Sequence, residues 1–492
     1  MRGRLSLLAT IGVVALLGGV LVACQAGSSG QQEPEPTETA SLGASPVGER
    51  GTEQQEPQPT AVVDAAITPM GGDCVAKIVG RSLVTDQSVY SVPDLPEPEP
   101  RHWFVDPVFG SCVVRVTDRQ SDLDAGDESK GMVNEYARVQ SFNADGSRLL
   151  AYSTDGWWYL YNAATLEPMG ELPLGVEPRW DAEDPALIYY NDETRLMSYD
   201  VKSGIKAEIH DFAADFPGQG LASQRLGAVW TKFEGRPSRD SRYWGLMAED
   251  QDWLPVAFVV YDRQADTVTI RDMRGVPGIE DDVDHVTISP LGTYFLASFD
   301  RACEEGQRGD DEHPCGLMVY DRGLGNGRSL LRIIGHYDPA LDPEGREVVV
   351  YQDIDTDHIS MLDLESGVVT PLWEIDFSHT GIGLHFSGLA YDRPGWVVVS
   401  THDDDAESYT WMDDQVFAVE LKAGGRVARL AHTHSLVDDD LEPDYWAEPH
   451  ASTNPDLTRI VFGTNWGRSG SGEVEMFMIA LPSDWTEWLA LP

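Results

Sequence analysis

The chain reads as an all-β protein, a seven-bladed β-propeller. Three observations predict this. A unit of short strand, turn and apolar strand recurs at a spacing of about 35–55 residues, as expected for propeller blades. Each unit carries an Asn, Ser or Asp at a tight turn after its first strand, as in Asn143-Ala-Asp145-Gly146 and Asn454-Pro-Asp456. Several third strands end on one phrase (YDVKSG, YDRQAD, YDRGLG, LDLESG), which reads as a hairpin turn between outer strands. A pair of β-sandwiches and an eight-bladed ring are the competing architectures.

Residues 1–23 have the layout of a signal peptide. Arg2 and Arg4 precede an apolar run from Leu5 to Val22. The run ends in LVAC, which resembles the lipobox of bacterial lipoproteins. That resemblance implies cleavage before Cys24 and a lipid on its sulfur. The chain is then expected to be exported and lipid-anchored, at the cell surface or in the periplasm. It would not be embedded, because no other segment approaches the ~18 apolar residues of a membrane span. A plain signal peptide or an uncleaved anchor helix is the alternative. Residues 24–70 are rich in Gln, Glu, Pro, Ser, Thr and Gly and read as a disordered tether. Residues 71–103 form a poorly patterned N-terminal extension, and 104–492 the propeller.

Cys112 to Thr117 is a β-branched run and hence a strand. It precedes the first copy and has no partner there. The copies follow at 135–173, 176–204, about 227–273, from Asp284, from Gly335, from His385 and from Tyr445. The last supplies about three strands. Propellers close by letting one terminus complete the last blade, which removes an open sheet edge. That role falls to residues 110–118.

Four cysteines remain beside Cys24. Cys303 and Cys315 bracket one acidic loop, so their pairing is economical. Cys74 would then join Cys112 and staple the extension to the body, as an oxidising compartment permits. Free thiols are the alternative.

The net charge is −47, from 82 acidic and 35 basic residues, of which only six are lysine. Such a surface repels nucleic acid. It also suits a salty medium, where repulsion is screened over a few Å. No oligomerisation signal stands out, and a monomer is expected.

Chemistry is sought on the innermost strands, which line the channel. Read across the copies, these place Arg138 and Gln140, Glu177 and Arg179, Trp230, His285, His336 with Asp338, His385, and Glu448 with His450. The last four blades each carry a histidine there. His285 and His450 both stand four residues before their turn, at Ser289 and Asn454. His336 and Glu448 both stand six before. Residues two apart on a strand share a face, so these four are expected to point into one channel. Any one of them alone reads as a hydrogen-bonded structural histidine. Together, imidazoles with a carboxylate suit a divalent Mn, Zn, Ni or Fe. His432 and His434 follow an outer strand and read as surface. The acidic runs Glu280–Asp284 and Asp438–Asp440 lack EF-hand spacing and read as solvated loops. No nucleophile elbow, phosphate loop or dinucleotide fingerprint is present in a convincing context.

Phrases such as SPLGTYFLASF and HASTNPDLTRIVFGTNWG resemble TolB-type propeller repeats. The inner-strand histidines of blades 4, 5 and 7 resemble those of the oligogalacturonate lyases, a seven-bladed family. Those enzymes use a divalent metal held by histidines, with a histidine as base, to cleave polyuronates by β-elimination. The resemblance implies His285 as base and His336 and His450 as metal ligands. Glu448 stands in place of a further ligand histidine, and Tyr445 in place of a ligand glutamine. His385 joins the metal set as the remaining channel histidine. Arg138, Gln140 and Arg179 would meet the substrate, the arginines clamping carboxylates bidentately. The expected partners are a membrane, through the anchor, and an acidic glycan or another envelope protein. The rival reading is a non-catalytic propeller that binds or scaffolds in the cell envelope.

Overall fold

The computed structural model describes residues 71–219, 225–279, 283–402, 409–438 and 441–490. Residues 1–23, the tether 24–70 and Cys24 lie outside the described residues, as do 280–282 and 439–440 of the two acidic runs. The chain is a seven-bladed β-propeller. Six sheets have four strands and one has five. Each blade is an antiparallel meander that starts at the channel and ends at the rim. Blade 1 comprises Met132–Val133, Arg148–Ser153, Trp158–Asn162 and Pro168–Leu172. Blades 2 to 6 start with the inner strands Val176–Trp180, Leu226–Trp230, Val283–Ile288, Tyr337–Leu341 and Gly383–Ser387. Blade 7 holds Ser452–Thr453, Arg459–Thr464 and Glu475–Ala480.

Alternation along the strands sends apolar side chains to both faces of each blade, and the core lies between blades. Val398, Phe462, Phe477 and Trp485 fill the gap between blades 6 and 7, with Trp396 and Trp485 rings 5.1 Å apart. Val350, Phe386, Val399 and Phe417 do the same between blades 5 and 6. Burying each such side chain is worth about 1.5–3 kcal/mol.

Cys112–Arg115 lies antiparallel against Glu475–Ala480, with Cys112 opposite Ala480 and Arg115 opposite Phe477. Trp103–Val105 adds a further strand outside it. The fifth strand of blade 7 thus comes from the end of the N-terminal extension. This extension also contains a short helix, α1 (Gly72–Ile78), docked on blade 7 through a Cys74–Cys112 disulfide. A second disulfide joins Cys303 and Cys315. No helix among the described residues is long and apolar enough to cross a membrane.

Two local expectations are corrected, for Arg138 with Gln140 and for His432 with His434. Arg138 and Gln140 do not lie on the inner strand of blade 1. That strand is only Met132–Val133, and the chain then bends, with the Val139 N–H donating to the Tyr136 carbonyl. Trp230 does lie on its inner strand, as the last residue of Leu226–Trp230. The buried Glu177 carboxylate accepts from the N–H groups of Thr231 (3.0 Å) and Phe233 (2.5 Å), which holds Lys232 and Phe233 at φ of 63° and 75°. Glu234 then takes a channel position. His432 and His434 are buried rather than on the surface. The segment from Val84 to Phe109 covers the outer strand of blade 6 there. Val84 bridges to Arg429, the Phe109 ring lies 4.5 Å from that of His432, and His434 stacks on Trp466 at 4.0 Å. Burial pushes the His434 imidazole down to about 4.

Candidate functional site

The start of each inner strand faces one end of the channel, and blades 5, 6 and 7 bring four histidines together there. His385 lies within its strand. His336 immediately precedes Tyr337–Leu341. Glu448 and His450 follow the short 3-10 helix Glu442–Ala447. His385 Nε2 donates to Glu448 Oε2 at 2.6 Å, and His450 Nε2 is 3.5 Å from the same oxygen. The His336 and His385 rings stack at 4.4 Å, and His385 and His450 meet edge-on at 4.2 Å. His402, at the end of the second strand of blade 6, stacks on His385 at 5.9 Å. Gly383 makes room for it, since a Cβ there would stand 2.4 Å from the His402 Cε1. His450 itself has φ +43°, in the left-handed region. Its carbonyl accepts from Asn134 Nδ2 at 2.6 Å, and the next N–H donates to Ser400 Oγ, so its neighbours hold the strained backbone in place.

Burial lowers the pKa of His336, and that of His385 falls well below the ordinary value through burial and the neighbouring imidazoles. Burial alone would raise Glu448, but the hydrogen bond from His385 and the adjacent His402 and His450 hold it well below the usual carboxylate range. Burial thus favours the uncharged ring at His336 and His385, beside a carboxylate held in its ionised form. Because Nε2 of His385 carries the proton donated to Glu448, its Nδ1 carries a lone pair. That Nδ1 is buried without a partner, as are His402 Nδ1 and His450 Nε2. His336 Nδ1 donates to the Leu384 carbonyl, which leaves its Nε2 as the acceptor nitrogen. Orphaned buried nitrogens are costly, and a divalent ion would satisfy them. His385, Glu448 and His450 offer ligand atoms within 4.8 Å of one another. These residues fit a divalent metal of the Mn, Fe, Zn or Ni type. The side chain of Glu448 keeps 16 % exposure, so the cluster reaches solvent through its carboxylate.

A second group on the channel, Glu234, Asp284 and His285, has the same compactness but is already satisfied. His285 Nδ1 donates to Asp284 Oδ2 at 2.8 Å. Burial disfavours the Asp284 charge, but His285 outweighs it and the carboxyl falls to about 2. His285 Nε2 then accepts from Arg138 Nη1 at 2.5 Å, and the same nitrogen of Arg138 is 2.8 Å from Glu234 Oε2. A guanidinium occupies the place a metal would take. It lies 4.4 Å over the Tyr337 ring.

The remaining sequence candidates are placed as follows. Arg179 pairs with Glu135 at 2.7 Å and donates to the Gly235 and Phe233 carbonyls. Burial raises Glu135 to about 7 despite that partner. Gln140 donates to the Thr453 carbonyl, tying blade 1 to blade 7. Asp338 pairs with Arg236 deeper in the channel, where Arg236 also donates to the Arg138 and Pro339 carbonyls. The Tyr445 ring is 5.4 Å from His450. Asp284 belongs to this site, not to a solvated loop. Two participants escape the sequence reading. Glu234 stands four residues before Ser238, the offset shared by His285 and His450, and could have been found that way. His402, at the end of a second strand, carries no such signal.

No family model matches this chain, and no curated protein matches it. Solved structures do. An oligogalacturonate lyase in complex with manganese superposes with a TM-score of 0.52 and 17 % identity over 78 % of this chain and 97 % of that one. An oligogalacturonate lyase from Vibrio parahaemolyticus gives 0.50 and 14 %, with the same coverage. At these identities the likeness is one of fold.

Proposed function

We propose that this chain is an exported propeller, anchored through Cys24, with a divalent metal at its channel mouth and a lyase-like activity on acidic glycans. The observation that carries the reading is the convergence of His385, Glu448 and His450, whose ligand atoms lie within 4.8 Å of one another. His385, His450 and Glu448 would hold the ion, with His336 and His402 beside them. When bound, such an ion neutralises a uronate carboxylate and acidifies the adjacent C–H. His285 is then the base. Asp284 fixes its proton on Nδ1, so the Nε2 lone pair is the one that takes the proton of the carbon next to the carboxylate. The C–H electrons form the new double bond, the C–O bond to the departing sugar breaks, and that oxygen takes a proton from solvent water, while His285 later returns its own proton to solvent. Arg138 covers Nε2 at rest and must turn aside, and a substrate carboxylate is a better partner for it than an imidazole.

Two features support the exported location. The disulfides suit an oxidising compartment, and the apolar run ends at Cys24. The second reading, a non-catalytic binding propeller, is favoured by the closed pairing of Arg138, Arg179 and Arg236 with internal carboxylates. An ultraviolet assay for unsaturated uronate product, run on manganese-loaded protein, separates the two. Product that disappears in His285→Ala while metal is retained supports the lyase. Full metal loading with no product from any uronate glycan supports the binding module.

A further inference from the structure

Resting on the lyase reading above, we infer that the site accepts a single uronate flanked by neutral sugars, and not a run of uronates. A polyuronate carries a carboxylate on every ring and needs a cation for each. The buried channel arginines are committed elsewhere. Arg179 holds Glu135 at 2.7 Å and two backbone carbonyls, and Arg236 holds Asp338 and two more. Releasing either would strand a buried carboxylate. Lys232 donates its ammonium to the Val283 carbonyl. Arg138 differs in that only one of its two partners is a carboxylate: beside Glu234 Oε2 at 2.8 Å, its other acceptor is His285 Nε2, so it can leave the imidazole while keeping Glu234. When it turns, it exposes the base and meets the same carboxylate that the ion neutralises, the one beside the reacting C–H. The arginines thus provide for one acid group.

What lies beside Glu234 is suited to a neutral ring. The Phe233 and Trp230 rings are 4.9 Å apart, and Trp230 is 5.9 Å from Trp253, which is 40 % exposed on the turn between the second and third strands of blade 3. Indole faces take the apolar face of an uncharged pyranose. Glu249 accepts from the Trp230 ring at 2.8 Å and fixes that indole, and Asp250 and Asp252 flank the same turn, so a second uronate there meets like charge.

The test is a tryptophan-fluorescence titration of manganese-loaded protein at 0.15 M salt. One probe is a disaccharide of one uronic acid and one neutral hexose, the other trigalacturonate. The inference expects the disaccharide to bind about tenfold more tightly, and Trp253→Ala to lose about that factor. Glu135→Gln, which leaves Arg179 without its carboxylate, should strengthen trigalacturonate binding. Trigalacturonate binding as tightly as the disaccharide overturns the inference, as does a Trp253→Ala protein that binds unchanged. Manganese bound with neither saccharide bound overturns it too, while the metal site stands. Failure to bind manganese overturns the lyase reading beneath it.

Discussion

Glu448 Oε2 lies 2.6 Å from His385 Nε2 and 3.5 Å from His450 Nε2, and that convergence of ligand atoms is the basis for proposing a metal here. His285, by contrast, has both ring nitrogens satisfied, between Asp284 and Arg138. His385→Ala or His450→Ala should therefore abolish stoichiometric metal binding, measured by elemental analysis after gel filtration. His402→Ala should weaken it by about 10–100-fold, the scale of a supporting residue, read by chelator competition. Glu249 gives a pH prediction outside the cluster. Burial raises its carboxyl to about 7 from 4.5, partly offset by Lys232 and by the hydrogen bond from Trp230. The folded state keeps this proton where the unfolded chain has lost it. The stability it contributes is complete below about 4.5 and is lost as pH rises through about 7, a change of about 3 kcal/mol. Denaturant unfolding at pH 5 and 8 should show that extra loss in the wild type and not in Glu249→Gln.

At the scale of elements, the shared blade 7 is where stability is most exposed to change. The Cys74–Cys112 link closes a loop of 38 residues and ties α1 to a strand that pairs with Glu475–Ala480. In the chain-entropy picture it contributes about 4 kcal/mol. A Cys74→Ser/Cys112→Ser protein should lose stability on that scale in denaturant titration, whereas one unchanged within 1 kcal/mol would mean that strand pairing alone suffices. The strands and turns of these elements were legible, because alternating apolar residues and the Asn/Ser-x-Asp turn are local signals. The exceptions were not local. The Tyr136–Gln140 segment is buried like a strand yet bends, and α1 is too short for a helical period to emerge from GDCVAKI. His432 and His434 looked exposed because the segment that covers them comes from more than 300 positions earlier in the chain. In the site, the offset of four before each turn carried His285 and His450 and would have carried Glu234. The commitment of Arg138, Arg179 and Arg236 to internal acids depends on packing across the ring, which no spacing along the chain encodes.

The whole molecule carries a net charge of −47, and self-repulsion at low ionic strength opposes the compact state. Its melting temperature should rise as salt is raised from about 0.01 M to 0.15 M, over which the Debye length falls from about 30 Å to 8 Å. A melting temperature indifferent to salt would show that the acids are locally compensated. Inside the channel, internal carboxylates pair with the arginines Arg138, Arg179 and Arg236, which leaves His385, His450 and Glu448 as the candidate cation site. The most direct test is the metal content of the purified protein. It should hold one divalent ion per chain, which dialysis against buffer does not remove and which His385→Ala and His450→Ala each eliminate without unfolding the propeller. A wild-type protein that stays metal-free after incubation with Mn, Zn, Ni and Fe would contradict the account.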